Sequence, residues 1–147
     1  MIIGFTGTRQ GLSAWQRILL FSELRAYARA DFEITTGFTA VGATPEFHHG
    51  GCVGADAEAH QMARTLGYRI VVHWPENRKH EANLSGPFVS AGRKPYLIRN
   101  EDIVKACDLL IATPLTDKEQ LRSGTWSTIR MARRLGKRCL IINRNQS

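Results

Sequence analysis

Ile2-Ile3-Gly4-Phe5-Thr6-Gly7-Thr8-Arg9 is the stretch on which the reading of this chain turns. A short apolar run that halts at a glycine is the pattern of a buried strand entering a tight turn. The arrangement recurs twice. Glu46-Phe47-His48-His49 leads into Gly50-Gly51-Cys52-Val53-Gly54-Ala55-Asp56, and the run from Asp108 to Ala112 is followed by Arg122-Ser123-Gly124-Thr125-Trp126. Each turn opens a helical pattern. Small residues let the backbone come close to a ligand, and the first amides of a helix are unpaired donors with partial positive charge, so such turns suit phosphate or another anion.

Working outward, Ser13 and Gln16 make a capping-box pattern that predicts a helix from Ser13 to Ala30, with Trp15, Ile18, Leu19, Ser22 and Ala26 inward. Asp31 to Pro45 reads as a long loop or a small hairpin insertion. Ala55, Ala59, Met62, Ala63 and Leu66 recur at helical spacing up to Gly67, and Arg69 to Trp74 is a strand ended by Pro75. Glu76 to Ile98 is polar and irregular, which predicts a mobile flap across the top of a sheet. Asn100 to Ala106 predicts a short helix, Asp108 to Ala112 a strand, Ser123 to Leu135 a helix, and Arg138 to Ile142 a last strand. Strands alternating with helices predict an α/β chain: a Rossmann-like three-layer α/β/α sandwich with a mainly parallel sheet, one domain over residues 1–147, and ligands beyond the strand C-termini.

Composition sets bounds on function. With 43% apolar and 22% charged residues the chain has an ordinary globular balance. No stretch approaches the roughly 20 apolar residues of a membrane span, and Met1 leads straight into a strand-like run, so the expectation is a cytoplasmic protein without a membrane partner. Cys52, Cys107 and Cys139 include no close pair, which fits reduced thiols. The net charge is +7, with Arg130, Arg133, Arg134 and Lys137 at helical spacing. That stripe is either a solvated face or a surface for nucleic acid.

The ordered set Gly4 to Arg9, His49 to Asp56, Arg99-Asn100-Glu101-Asp102-Ile103, Ala106-Cys107-Asp108 and Ser123-Gly124-Thr125 resembles the SLOG superfamily of Rossmann-like proteins, within it the YpsA-like or DUF2493-like branch. The likeness spans nearly the whole chain. The resemblance implies a nucleotide-type ligand, since SLOG members include LOG phosphoribohydrolases, sensors of NAD-derived nucleotides, and the single-strand DNA-binding protein DprA. It also implies a homo-oligomer, associated through helices beside the site. LOG enzymes carry Pro-Gly-Gly-x-Gly-Thr-x-x-Glu and an Arg from an earlier Arg-Lys pair. Arg99 matches that Arg, and Gly124 and Thr125 match the Gly-Thr. Leu121 and Arg122 replace the glycine pair, and Thr128 stands where the catalytic Glu belongs. Cleaving an N-glycosidic bond builds oxocarbenium character that a carboxylate stabilises and a Thr does not. A catalytic reading therefore needs Arg99 together with a substitute carboxylate: Glu101, Asp117 or Glu119.

For binding, the expected contacts are the amides of Gly7, Thr8, Gly124 and Thr125, the hydroxyls of Thr8 and Thr125, and the guanidinia of Arg9 and Arg99, with Asn100 and Ser123 beside them. The alternative for the Gly-Thr turns is helix capping, for which Ser123 is suited. Arg99 has the alternative of a surface pair with Glu101 or Asp102. Gly50, Gly51 and Gly54 would let a second helix N-terminus approach. Asp56 either accepts ribose hydroxyls or faces the helix dipole, and Trp74 either stacks on a base or packs. His48 and His49 point to opposite faces of a strand and cannot share an ion without a bend, so no metal and no resident cofactor are expected. The leading expectation is a sensor, carrier or sequestering protein for a nucleotide or NAD-derived nucleotide. The rivals are a nucleoside-monophosphate N-glycosidase and a DprA-like nucleic-acid binder.

Overall fold

The computed structural model describes residues 1–37 and 44–145, apart from the side chains of 30–37. These form six strands, β1 (Ile2–Gly7), β2 (Glu46–His49), β3 (Arg69–Pro75), β4 (Val89–Lys94), β5 (Leu109–Thr113) and β6 (Arg138–Ile141). The helices are α1 (Ala14–Gly37), α2 (Ala55–Thr65), α3 (Tyr96–Ala106) and α4 (Gly124–Arg134). All the strands pair in parallel, in the order β4-β3-β2-β1-β5-β6. The architecture is the expected Rossmann-like α/β sandwich.

Alternation along the strands assigns the two helical layers. Ile3 and Phe5 of β1, with Leu109 and Ile111 of β5, pack with Leu20 and Leu24 of α1 and Ala55, Ala59 and Ala63 of α2. Leu110 faces the other way, onto Ile103 and Val104 of α3 and Met131 and Ala132 of α4. Gly4 lies on that second face, where an added Cβ would sit 3.0 Å from Cys107 and 3.2 Å from Ile103.

Three expectations are corrected. Helix α1 continues through Asp31–Gly37, where a loop or hairpin was expected, because no breaker intervenes before Gly37; residues 38–43 of that segment lie outside the described residues. Its inward face is Gln16, Leu20 and Leu24; Ser22 and Ala26 are exposed, and Ile18 is 63% exposed. The capping box forms as expected, Ser13 N donating to Gln16 Oε1 at 3.0 Å and Gln16 N to Ser13 Oγ at 3.1 Å. The same Gln16 is fully buried, however, and its Nε2 donates to the carbonyls of Pro114 and Ile142, each at 3.0 Å. A polar residue thus anchors the helix to the ends of β5 and β6 and shifts the buried stripe by one position. Lastly, the segment from Glu76 to Ile98 holds a whole strand, β4, paired with β3.

Gln16→Ala is expected to cost about 2 to 3 kcal/mol, because two buried carbonyls lose their donor and a cavity opens. Urea unfolding measures this, and a loss below about 0.5 kcal/mol would show that water replaces the amide.

Candidate functional site

From β1 the chain lays down β2, β3 and β4 to one side and then returns to place β5 and β6 on the other. The resulting crevice at the carboxyl ends of β1 and β5 is where such sheets open to ligands. A cavity of about 770 Å³ lies there, walled by the β1–α1 turn, the β2–α2 turn, α3 and the start of α4. The cationic side chains lining it are Arg9, Lys79, Arg99 and Arg122, and the carboxylate among its lining residues is Asp56.

Ser123 caps α4 by accepting from Trp126 N at 3.2 Å, and Ser127 N bonds Ser123 O at 2.9 Å. The amides of Gly124 and Thr125 have no acceptor among the described residues, as the first donors of a helix do. Thr125 is buried, and its hydroxyl is likewise without a partner among the described residues. Thr128, in the position of the LOG carboxylate, lines the cavity but turns its hydroxyl back to Gly124 O at 2.9 Å. Helix capping therefore consumes one amide and leaves two without an acceptor among the described residues.

The β1–α1 turn behaves differently. Thr8 N donates to Thr113 O at 3.3 Å, continuing the β1–β5 contact past Gly7, and the Thr8 hydroxyl accepts from Gln10 N at 3.2 Å. The Thr8 amide expected to face a phosphate is thus already spent. Thr8 O accepts from Ala55 N at 3.0 Å, tying this turn to the start of α2. Gly54, which precedes α2, has φ +87°, and a Cβ there would overlap the Arg9 carbonyl. Only glycine allows that contact.

Arg99 lines the cavity where α3, the β2–α2 turn and β3 meet. It is 5% exposed, and its Nη1 donates to Gly50 O at 2.5 Å and His73 O at 3.2 Å. Nε donates to Asn100 Oδ1 at 2.8 Å, and the guanidinium lies 5.0 Å from the centre of the Tyr96 ring. The surface pairing with Glu101 or Asp102 does not occur. Asp56, 7% exposed, accepts from Cys52 N at 3.2 Å. Burial pushes its carboxyl up to about 6, against the opposing pull of Arg99 and the Cys52 and Gly50 amides.

The structure brings Gly7, Thr8, Arg9, Gly50, Asp56, Arg99, Asn100, Ser123, Gly124 and Thr125 to one cavity. It leaves others out. Glu101 is turned to Lys105, with oxygen and nitrogen 2.7 Å apart, and does not line the cavity. Of the other substitute carboxylates, Glu119 holds Arg130 at 2.9 Å and Arg133 at 3.7 Å, and Asp117 accepts from Arg144 N at 3.1 Å. Trp74 and Gly51 pack against each other behind the wall, with Phe88 edge-on to the indole. Gly54 supports the wall from beneath Arg9.

His48 and His49 do face opposite ways: His48 bonds His73 at 2.8 Å and His49 bonds His60 at 2.9 Å. Burial lowers His73 to about 4 and puts His49 well below the usual range, so both rings are neutral. The basic stripe is partly consumed by Glu119, and Lys137 Nζ donates to the carbonyls of Lys105 and Cys107.

Asn77, Lys79 and His80 line the cavity although nothing in the sequence marks them. Val53 N donates to His80 O and Ala82 N to Gly51 O, both at 2.8 Å, which pins this stretch over the β2–α2 turn. Where a mobile flap was the expectation, these residues are tied to the β2–α2 turn by backbone hydrogen bonds.

No protein-family model matches the chain, and no curated protein matches it. Solved structures do. A molybdenum cofactor binding protein from the phototrophic bacterium Rippkaea orientalis aligns with 98% of this chain and 77% of its own at 17% identity and a TM-score of 0.67. The structural-genomics target TM1055 aligns with 94% of this chain and 71% of its own at 18% identity and a TM-score of 0.60. The molybdenum cofactor (Moco) carrier protein from Chlamydomonas reinhardtii aligns with 96% of this chain and 75% of its own at 18% identity and a TM-score of 0.58. What the chain shares with them is the fold. No helix among the described residues is long and apolar enough to cross a membrane.

Proposed function

We propose that this chain is a cytoplasmic binding protein, a carrier or sensor, for a phosphate-bearing small molecule of the nucleotide type, within the YpsA-like branch of SLOG. The observation that carries the reading is the convergence of two unpaired α4 amides, the Thr125 hydroxyl, which has no protein partner among the described residues, and the cations Arg9, Lys79, Arg99 and Arg122 on one cavity. Dipole, hydrogen-bond donors and charge all favour an anion there. The structural neighbours that bind or carry the molybdenum cofactor support a carrier role and extend the ligand class from nucleotides to small cofactors. Binding is favoured over turnover because Thr128 stands in the carboxylate's place with its hydroxyl bonded to the helix backbone, and Glu101 lies outside the cavity.

Calorimetry against nucleotides, cyclic nucleotides, ADP-ribose and inorganic pyrophosphate tests the proposal. Binding is expected, and it should weaken as salt rises. Thr125→Val, which keeps the volume and removes the hydroxyl, should lower affinity about tenfold. Absence of binding by folded protein across the panel overturns the reading. Release of free base from any nucleoside monophosphate would replace it with the N-glycosidase reading, with Asp56 as the carboxylate in reach.

A further inference from the structure

Beside the anion-binding end of the cavity stand two buried charged groups whose hydrogen-bonding capacity is incompletely used. Asp56 is met by the amides of Cys52 and Gly50 and forms no ion pair among the described residues, so part of its four-lone-pair capacity stays unused. Arg99 spends Nη1 and Nε on protein oxygens and its guanidinium also reaches the Cys52 thiol, while Nη2 donates to no protein oxygen among the described residues. The two flank one glycine: a Cβ on Gly50 would lie 2.5 Å from Arg99 Nη1 and 3.2 Å from Asp56 Oδ2. Tyr96 and Ile103 complete this part of the wall with flat and apolar surface. An unpaired buried carboxylate is costly, and its cost is offset when a ligand supplies donors.

A complementary ligand edge presents N–H donors to Asp56 and, beside them, an acceptor to Arg99. The grouping O=C–NH–C–NH2 does this: two adjacent N–H groups meet the carboxylate and the carbonyl oxygen meets the guanidinium. An adenine edge instead sets a ring nitrogen lone pair against the carboxylate. We infer that Asp56 and Arg99 read the amino-oxo-pyrimidine edge shared by guanine nucleotides and pterin phosphates. This rests on the binding function proposed above and adds the identity of the ring.

The test is calorimetry at neutral pH with GMP, dGMP, IMP, AMP, a pterin phosphate and inorganic pyrophosphate. GMP or the pterin phosphate should bind at least about tenfold more tightly than IMP and AMP, because those lack donors that the carboxylate requires. The tighter of the two identifies the source of the ring. Asp56→Asn should erase the preference while leaving pyrophosphate affinity undiminished. Equal affinity for GMP, IMP and AMP overturns the inference, as does a preference that survives Asp56→Asn or a large loss with dGMP, which would mark Asp56 as a ribose contact. If Asp56→Asn does not fold, the parent's ranking of the three bases decides. Pyrophosphate binding without base preference removes this inference alone, whereas no binding of any phosphorylated probe removes the proposed function with it.

Discussion

Arg99→Ala is expected to weaken binding of the phosphorylated ligand about a hundredfold, because a buried guanidinium makes charge-assisted bonds that water does not replace. The residue also joins three parts of the fold. From α3 it reaches the carbonyl of Gly50 after β2 and that of His73 in β3, while its neighbour Asn100 fixes its Nε. Truncation leaves those carbonyls without this donor and opens space beside Tyr96, so folding stability should fall as well, by about 1 to 3 kcal/mol. Arg99→Lys separates the two effects. An ammonium restores charge but cannot hold two carbonyls and a carboxamide in one plane while still facing the cavity, so affinity should recover only in part. Calorimetry reads the affinity and urea midpoints read the stability. An Arg99→Ala affinity within about threefold of the parent would show that the cation is structural only.

The position of Arg99 at the cavity is legible from the motif that contains it, whereas Glu101 lies outside the cavity for a geometric reason. Residues two apart on a helix point to different sides. Once Arg99 faces the cavity from α3, Glu101 faces Lys105. The strands β1, β3 and β5 announce themselves because they carry the buried or half-buried apolar runs Ile2-Ile3, Ile70-Val71-Val72 and Leu109-Leu110-Ile111-Ala112. Strand β4 is exposed along most of its length and carries Ser90, Gly92, Arg93 and Lys94, so its membership rests on backbone pairing with β3 that leaves no side-chain pattern. The α1 stripe is displaced because Gln16 both caps the helix and lies buried with its amide bonded to two carbonyls. A polar side chain with both ends satisfied counts as core. Lys79 and His80 reach the site through pairing with the β2–α2 turn, and such long-range backbone contacts have no local signal.

Asp56→Asn is expected to stabilise the ligand-free protein at neutral pH while removing its selectivity. The carboxyl is raised from 3.8 to about 6 in the fold, chiefly by burial. The folded state therefore holds a proton that the unfolded chain releases between those values. For a raised carboxyl the stability is greatest below the unfolded value and falls as pH rises through the folded one. A shift of this size corresponds to roughly 3 kcal/mol at pH 7. Asn carries no such proton and can keep the bond from Cys52 N, so the gap between variant and parent should grow from near zero at pH 4 to roughly 3 kcal/mol at pH 7. Comparing the two proteins at each pH cancels the other carboxylates that weaken both in acid. Urea unfolding across that range is the measurement, and a gap that does not change with pH would mean that Asp56 is not penalised by burial. A bound ligand with N–H donors should reverse the order, stabilising the parent more than the variant, because the cost of the bare carboxylate is then offset by the bonds it was buried to make.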